Sequence, residues 1–382
     1  MKVIVGNSRM RGFSLVELMV AITISSLLLV GVIALFISSR ASYETTERLS
    51  RVQENGRFAL DQLATDIRAA GFQGCARGTT PSRMRDYRIS SVVNPASPDL
   101  RWNFAVPAQG FDGGEQFTPA LNNSIFAPAP NPQGDVLVLR IPRREVRSLE
   151  VRTTQANAAD PLVVYDIPSA RLEVGEMATV SDCEARAFFQ VTGYNSASGE
   201  IAHGQLDPAG GDEDEDVKTP GNSSNTFQHP FKKGASVLPV VTMIYYLAPT
   251  PDDTDDPTHM SLWRKMGGAN RSDEIAQDID RMEVRFGVDD GGAGGTVGDG
   301  RVDRYREAAD IANWDQVLTV QIALLARAPE EYGTDRDNMT YTLFAADPAD
   351  PDSEEVTAGP FNDRTQRKVF TATLALRNQI YD

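Results

Sequence analysis

The sequence predicts an α+β fold. One long N-terminal α-helix, transmembrane and then amphipathic, packs on a β-rich antiparallel-sheet domain with a large β insertion around residues 76–235. Three observations predict it. Residues 18–39 are uncharged and rich in Leu, Ile and Val. No proline interrupts the chain between Phe13 and Thr80. Beyond Cys75, short β-branched runs alternate with Pro/Gly/Asp stretches. Composition narrows the classes further. The 382 residues carry 37 Lys plus Arg against 53 Asp plus Glu, a net charge of −16, which speaks against direct nucleic-acid binding. A hydrophobic fraction of 41% excludes wholesale disorder, and two cysteines exclude a disulfide-dense scaffold or a four-cysteine zinc site.

The N-terminal segment comes first. Lys2, Arg9 and Arg11 precede the apolar run, and Glu17 is the single charge between Phe13 and Ser39. At about 1.5 Å rise per residue the run spans a bilayer core of roughly 30 Å. The basic end sets the N-terminus in the cytoplasm and the remainder outside. Two simpler readings compete. A secretory signal peptide has a shorter apolar region and a small-residue cleavage site, and neither is present here. A plain membrane anchor leaves Glu17 unexplained, because an acid costs roughly 2.5–3.5 kcal/mol at the bilayer centre and less near its edge.

The helical pattern continues beyond the run. Val52, Gly56, Ala59/Leu60, Leu63, Ile67 and Ala70 recur every three or four residues, and Gly71 and Gly74 provide a stop. A helix from about 14 to 70 would be on the order of 85 Å long.

The Gly12-Phe13-Ser14-Leu15-Val16-Glu17-Leu18 stretch resembles the type III signal of type IV pilins and type II secretion pseudopilins. The resemblance implies that a prepilin peptidase cuts between Gly12 and Phe13 and methylates the new terminus at Phe13. Glu17 matches the family's acid four residues later, which docks a subunit by pairing with a neighbour's ammonium. Arg51 to Leu60, with Gln53-Glu54-Asn55 and Arg57-Phe58-Ala59, resembles the PilW-type minor pilins. So do the helix end Gly71-Phe72-Gln73-Gly74-Cys75, Val317–Arg327 and Phe370–Asn378. The likeness touches 12–75, roughly 181–194 and 280–378.

It implies four segments. Residues 1–12 are a leader, 13–39 the membrane or filament-core half of the helix, 40–74 its amphipathic half, and 75–382 an exported globular domain. It also implies a structural protein, not an enzyme, held in the inner membrane and then carried to the pilus tip at the cell surface. Its partners would be other minor pilins, the major pilin, prepilin peptidase and the inner-membrane assembly platform, with a large tip adhesin as a further candidate. The shared motif leaves a type II secretion pseudopilin open. A membrane-anchored periplasmic enzyme or binding protein also stays open.

The remaining candidates are weaker. Cys75 and Cys183 would both face an oxidising compartment, where they either form a disulfide between helix end and sheet or stay as thiols. Asp289, Asp290, Asp299 and Asp303 lie in a Gly-rich loop whose oxygens could hold Ca2+, although the spacing is not an EF-hand and no Glu closes it. No cofactor is otherwise expected. His203, His229 and His259 lie in polar, turn-rich stretches and read as surface residues. Asn122, Asn222, Asn270 and Asn338 begin Asn-x-Ser/Thr triplets that read as chance. No nucleotide, zinc-protease or serine-hydrolase motif is present.

Strands are expected at Val136–Ile141, Leu162–Tyr165, Ala178–Val180, Phe188–Thr192, Val240–Leu247, Ser261–Lys265, Arg281–Val288, Val317–Ala328 and Val369–Leu376. Short helices are expected near 274–279 and 305–312.

Overall fold

The computed structural model describes residues 14–72, 88–94, 100–104, 106–113, 126–131, 134–144, 147–165, 172–182, 184–205, 220–251, 259–267, 272–291, 298–331, 335–346, 350 and 353–378. One helix, α1 (Leu15–Ala69), runs unbroken for 55 residues. The chain divides into two compact units, 1–51 and 52–382.

In the first unit the large apolar side chains from Leu15 to Ile37 are exposed. A helix apolar on every side has no face to turn inward, and this one is long and apolar enough to cross a membrane. Past the apolar run its surface becomes charged, with Arg40–Glu44 (2.9 Å) and Glu47–Arg51 (3.0 Å) paired one turn apart.

The second unit begins with the last turns of α1. Val52, Gly56, Ala59, Leu63 and Ile67 are buried, as the periodicity predicts. The helix ends at Gly71, whose φ of +72° is disfavoured for side chains with a Cβ. Its N–H donates to the Arg140 carbonyl at 2.9 Å, so the stop is also a tie to the sheet.

Among the described residues eighteen strands occur. The first nine are β1 (Arg88–Ser91), β2 (Ala108–Phe111), β3 (Val136–Pro142), β4 (Leu149–Thr153), β5 (Leu162–Val164), β6 (Met177–Ser181), β7 (Ala185–Gln190), β8 (Gly193–Asn195) and β9 (Glu200–Ala202). The rest are β10 (Ser236–Pro249), β11 (Met260–Met266), β12 (Ser272–Gln277), β13 (Ile279–Val288), β14 (Arg304–Arg306), β15 (Val317–Arg327), β16 (Tyr341–Phe344), β17 (Val356–Ala358) and β18 (Arg367–Ala375).

Three sheets result. Four antiparallel strands run in the order β14-β13-β15-β18, twelve strands group around β10, and β16 pairs with β17. Among the described residues only β1 and β7 pair in parallel. The helix shares one core with β3, β10, β13, β15 and β18, through Leu137, Leu139, Tyr245, Val284, Ile322 and Leu374 among others. A second core holds Val151, Val180, Phe189, Phe231 and Val237. The 14-residue β10 serves both: Ser236–Pro239 pair with β6, and Val240–Tyr245 pair with β3.

Several expectations need correction. Residues 274–279 are not helical. Glu274 and Ala276 are good helix formers, but β12 pairs along β11, and tertiary pairing overrides local propensity. Around 305–312 there is a short strand and one 3-10 turn (Ala308–Asp310), whose Ala308 and Ala309 N–H groups donate to Asp112. The strand expected at Phe188–Thr192 begins earlier, at Ala185, and all six of its residues are buried. Two strands inside the expected insertion, β2 and β3, pack in part against the helix (Ala108, Leu137, Leu139 and Ile141).

At Gly56 the helix meets β18 so closely that a methyl group would overlap the Phe370 ring. Gly56→Val should therefore lower stability by about 1–3 kcal/mol despite its better helix propensity. Phe370→Leu should recover part of that loss. Chemical denaturation of the four proteins of this cycle, in detergent, measures the coupling.

Candidate functional site

The segment expected to carry processing and docking includes the start of α1. Gly12 and Phe13 lie outside the described residues, and so do Cys75 and Cys183. Glu17 is described. Its Oε2 accepts the Ser14 N–H at 3.1 Å, across Ser14-Leu15-Val16-Glu17. This is one arm of a capping box, in which an acid in the first turn satisfies a backbone donor that the helix leaves free. The carboxylate also sits at the positive end of the helix dipole. It is held close to the chain start and still has an oxygen to offer.

The second part of the site is the seam between α1 and the sheet. Asp66 is 1% exposed. It accepts from Arg144 on one oxygen and from the Tyr245 hydroxyl of β10 on the other. Burial, and then the Asp66 charge, push the Tyr245 hydroxyl well above its ordinary pKa, so it stays a donor. Asn55 donates to Asp278 (3.2 Å), and Asp278 meets His259 Nε2 at 2.6 Å. At the helix end Asn378 donates to the Ala70 carbonyl at 2.8 Å. The Gln53–Ala59 stretch thus divides by face: Asn55, Gly56 and Ala59 meet the sheet, whereas Phe58 is exposed.

Periodicity and motifs did not single out Asp66. Its signal is nevertheless in the sequence: it lies three residues after Leu63 and four before Ala70, on the apolar stripe itself.

The four loop carboxylates are engaged elsewhere. Asp289 is 2% exposed and accepts from the N–H groups of Gly298 (2.6 Å) and Gly300 (2.8 Å). Asp290 pairs with Arg304 at 2.6 Å. Asp299 accepts from the Arg301 N–H and Asp303 from the Gly291 N–H. These acids act as backbone acceptors and a salt-bridge partner, and among the described residues no group of three or more His, Cys, Asp or Glu is placed to hold a metal ion.

Two histidines are not at the surface. His203 is 2% exposed, stacks on Phe227 at 3.9 Å and is pushed down in pKa by burial. His259 is 8% exposed. Asn222 is also buried, with its amide donating to the Gln190 and Gly204 carbonyls.

A small cavity of about 170 Å³ lies where β13 passes the loops after β2 and before β3, with Asp112, Asp135, Glu283, Arg285 and Glu307 around it. Asp135 bridges segments by accepting from the Gly113 N–H (3.0 Å) and the Val284 N–H (2.7 Å). Burial raises its pKa, and the nearby Glu283 raises it further. Desolvation by burial pushes Glu283 up to about 7, against the lowering effects of Arg281 and of its hydrogen bond with Asp135.

Comparison with known families now fits this geometry. Residues 7–33 match the prokaryotic N-terminal methylation motif, and residues 244–378 match the family described as type IV pilus-assembly protein W. The first covers the start of α1, and the second runs from within β10 past β18. No curated protein and no solved structure matches. A methylation motif on a long apolar helix, with an antiparallel sheet behind its second half, defines a type IV pilin-class protein. Within that class the match over residues 244–378 makes the chain similar to the type IV pilus-assembly protein W family.

The buried acids make the site testable. Asp66→Ala takes an acceptor from the buried Tyr245 hydroxyl while the exposed Arg144 stays solvated, and should cost about 1–3 kcal/mol, as should Tyr245→Phe, read by denaturation in detergent. Glu283 binds its proton more tightly in the folded state than in the unfolded one. Its contribution is therefore greatest below about pH 4.5 and is lost as pH rises through about 7. Glu283→Gln should flatten the stability–pH curve over that window and raise the melting temperature at pH 8.

Proposed function

We propose that this chain is a minor pilin that helps to prime type IV pilus assembly and takes a place in the tip complex. One observation carries the reading. The single acid of the apolar run, Glu17, stands four residues after Phe13 on a helix that continues unbroken into the sheet matched to the pilus-assembly family.

The mechanism uses the helix in two solvents. Lipid surrounds residues 18–39 before extraction, and the helices of neighbouring subunits replace it afterwards. One apolar environment is exchanged for another, so extraction is nearly neutral for the apolar side chains. The charge is not neutral. A carboxylate that must leave lipid headgroups needs a cation, and the N-terminal ammonium that prepilin peptidase exposes on Phe13 of a pilin chain supplies one. The Glu17–ammonium pair then fixes the axial register of docking. Other minor pilins, the major pilin, the assembly platform and a tip adhesin are the partners this reading requires.

N-terminal sequencing of the membrane-fraction protein tests the first step: a chain beginning at N-methylated Phe13 is expected, and an uncut Met1 terminus would sink the reading. Glu17→Val should leave cleavage and membrane level unchanged but lower incorporation into sheared pili about tenfold, a loss of roughly 1.4 kcal/mol of docking energy. Immunoblots of sheared pili and membranes measure both.

A further inference from the structure

The four-stranded sheet ends on β18, and among the described residues no strand pairs with the outer edge of that strand. Two backbone bonds at its ends set the parity: Leu376 N–H donates to the Leu318 carbonyl and Ala328 N–H to the Gln366 carbonyl, both at 2.8 Å. Backbone hydrogen bonds to β15 therefore belong to the even-numbered residues of β18. The odd-numbered residues Val369, Thr371 and Thr373 turn their N–H and C=O groups away from the sheet.

Among the described residues no strand pairs with that side, and no hydrogen bond reaches those backbone groups. The edge is also regular. Its nine-residue register with β15 has no bulge, no proline falls within it, and Thr371 and Thr373 are exposed. Natural edges are usually blunted by shortness, bulges, proline or inward charge. The opposite edge, β14, follows that rule: it is three residues long, and its Arg304 pairs with Asp290.

We infer that β18 is a docking edge for an extended strand of a neighbouring, non-identical pilus subunit, added in the β-augmentation mode. The inference rests on the pilus-subunit reading above and deepens it by naming the surface.

The chemistry of the occupant follows from the groups offered: alternating backbone donors and acceptors match only another extended backbone. Pairing with the same edge of a second copy is disfavoured by symmetry. Two identical edges pair antiparallel about a two-fold axis normal to the sheet, with Thr371 opposite its counterpart. That axis reverses the direction of anything lying along the sheet. The last turns of α1 lie along it, with Gly56 against Phe370. Two copies so paired would set the last turns of their α1 helices antiparallel, whereas subunits drawn from one membrane carry these turns in the same direction. A different subunit, contributing an extended segment without a two-fold axis, has no such conflict.

The test uses the full chain in piliated cells, with a photo-crosslinking residue placed either at Thr373 on the edge or at Val30 on the helix. The Thr373 probe is expected to capture a different pilin-class subunit, identified by mass spectrometry. Thr371→Pro removes an outward N–H without touching a bond to β15. It should lower that adduct about tenfold while leaving the Val30 adducts and the membrane level unchanged, and Thr371→Ala should leave all three unchanged. Three results overturn the docking edge alone: Val30 adducts with none at Thr373, a Thr373 adduct with a second copy, or a Thr373 adduct that survives Thr371→Pro. If Thr371→Pro lowers the membrane level, the identity of the Thr373 adduct in the unsubstituted chain decides. Absence of adducts from both positions overturns the pilus-subunit reading, and the docking edge with it.

Discussion

The buried seam between the last turns of α1 and the sheet is the constraint on which the second unit depends. The residues of α1 that are buried lie from Val52 onward. Two contacts set its geometry. Gly56 lets the backbone approach the Phe370 ring, which sets the depth of the helix over β18. Asp66, an acid in an apolar stripe, must find donors on the sheet side, and Arg144 and Tyr245 provide them. Apolar packing alone allows a helix to slide; a buried carboxylate with two fixed donors does not, because any shift leaves a desolvated charge.

The same economy recurs across the sheets. The acidic sequence suggested, at one place, a cation site. In the structure many of these acids tie loops down. Asp135, Asp289, Asp112 and Asp303 each accept backbone N–H groups that irregular segments would otherwise leave unpaired. Arg367, buried at the start of β18, gathers Asp280, Asp337 and Asp363 and lies 3.8 Å from the centre of the Phe361 ring. This cluster joins β18 to β13 and to the segment before β16. A chain with long non-repetitive connections needs such ties, because each loop carries donors that no ladder satisfies.

Legibility in the sequence followed periodicity. The helix was readable to within a residue at its start and its end, because a 3.6-residue pattern sustained over many turns, with glycine behind it, has few alternatives. Long strands with β-branched runs were readable too. β12 was not, because Asp273-Glu274-Ile275-Ala276-Gln277 favours a helix locally and becomes a strand only beside β11. Three-residue strands such as β8 and β9 carry too few positions to show alternation. Of the candidate site, Glu17 was legible because it stands alone in an uncharged run. Asp66 was not singled out, because nothing along the chain shows the donors that make an acid tolerable in the stripe, and the burial of His203 depends on the distant Phe189 and Phe227.

The sequence by itself determined the features that depend on neighbours along the chain: the membrane-length apolar run, its one acid, the amphipathic stripe and the glycine stop. These are written in spacing, and spacing needs no fold to be read. Only the tertiary structure decided which edge of the sheet stays unpaired among the described residues, that β10 serves two cores, and that four aspartates of a Gly-rich loop accept from the backbone and Arg304. Those outcomes depend on which distant groups come within hydrogen-bonding reach.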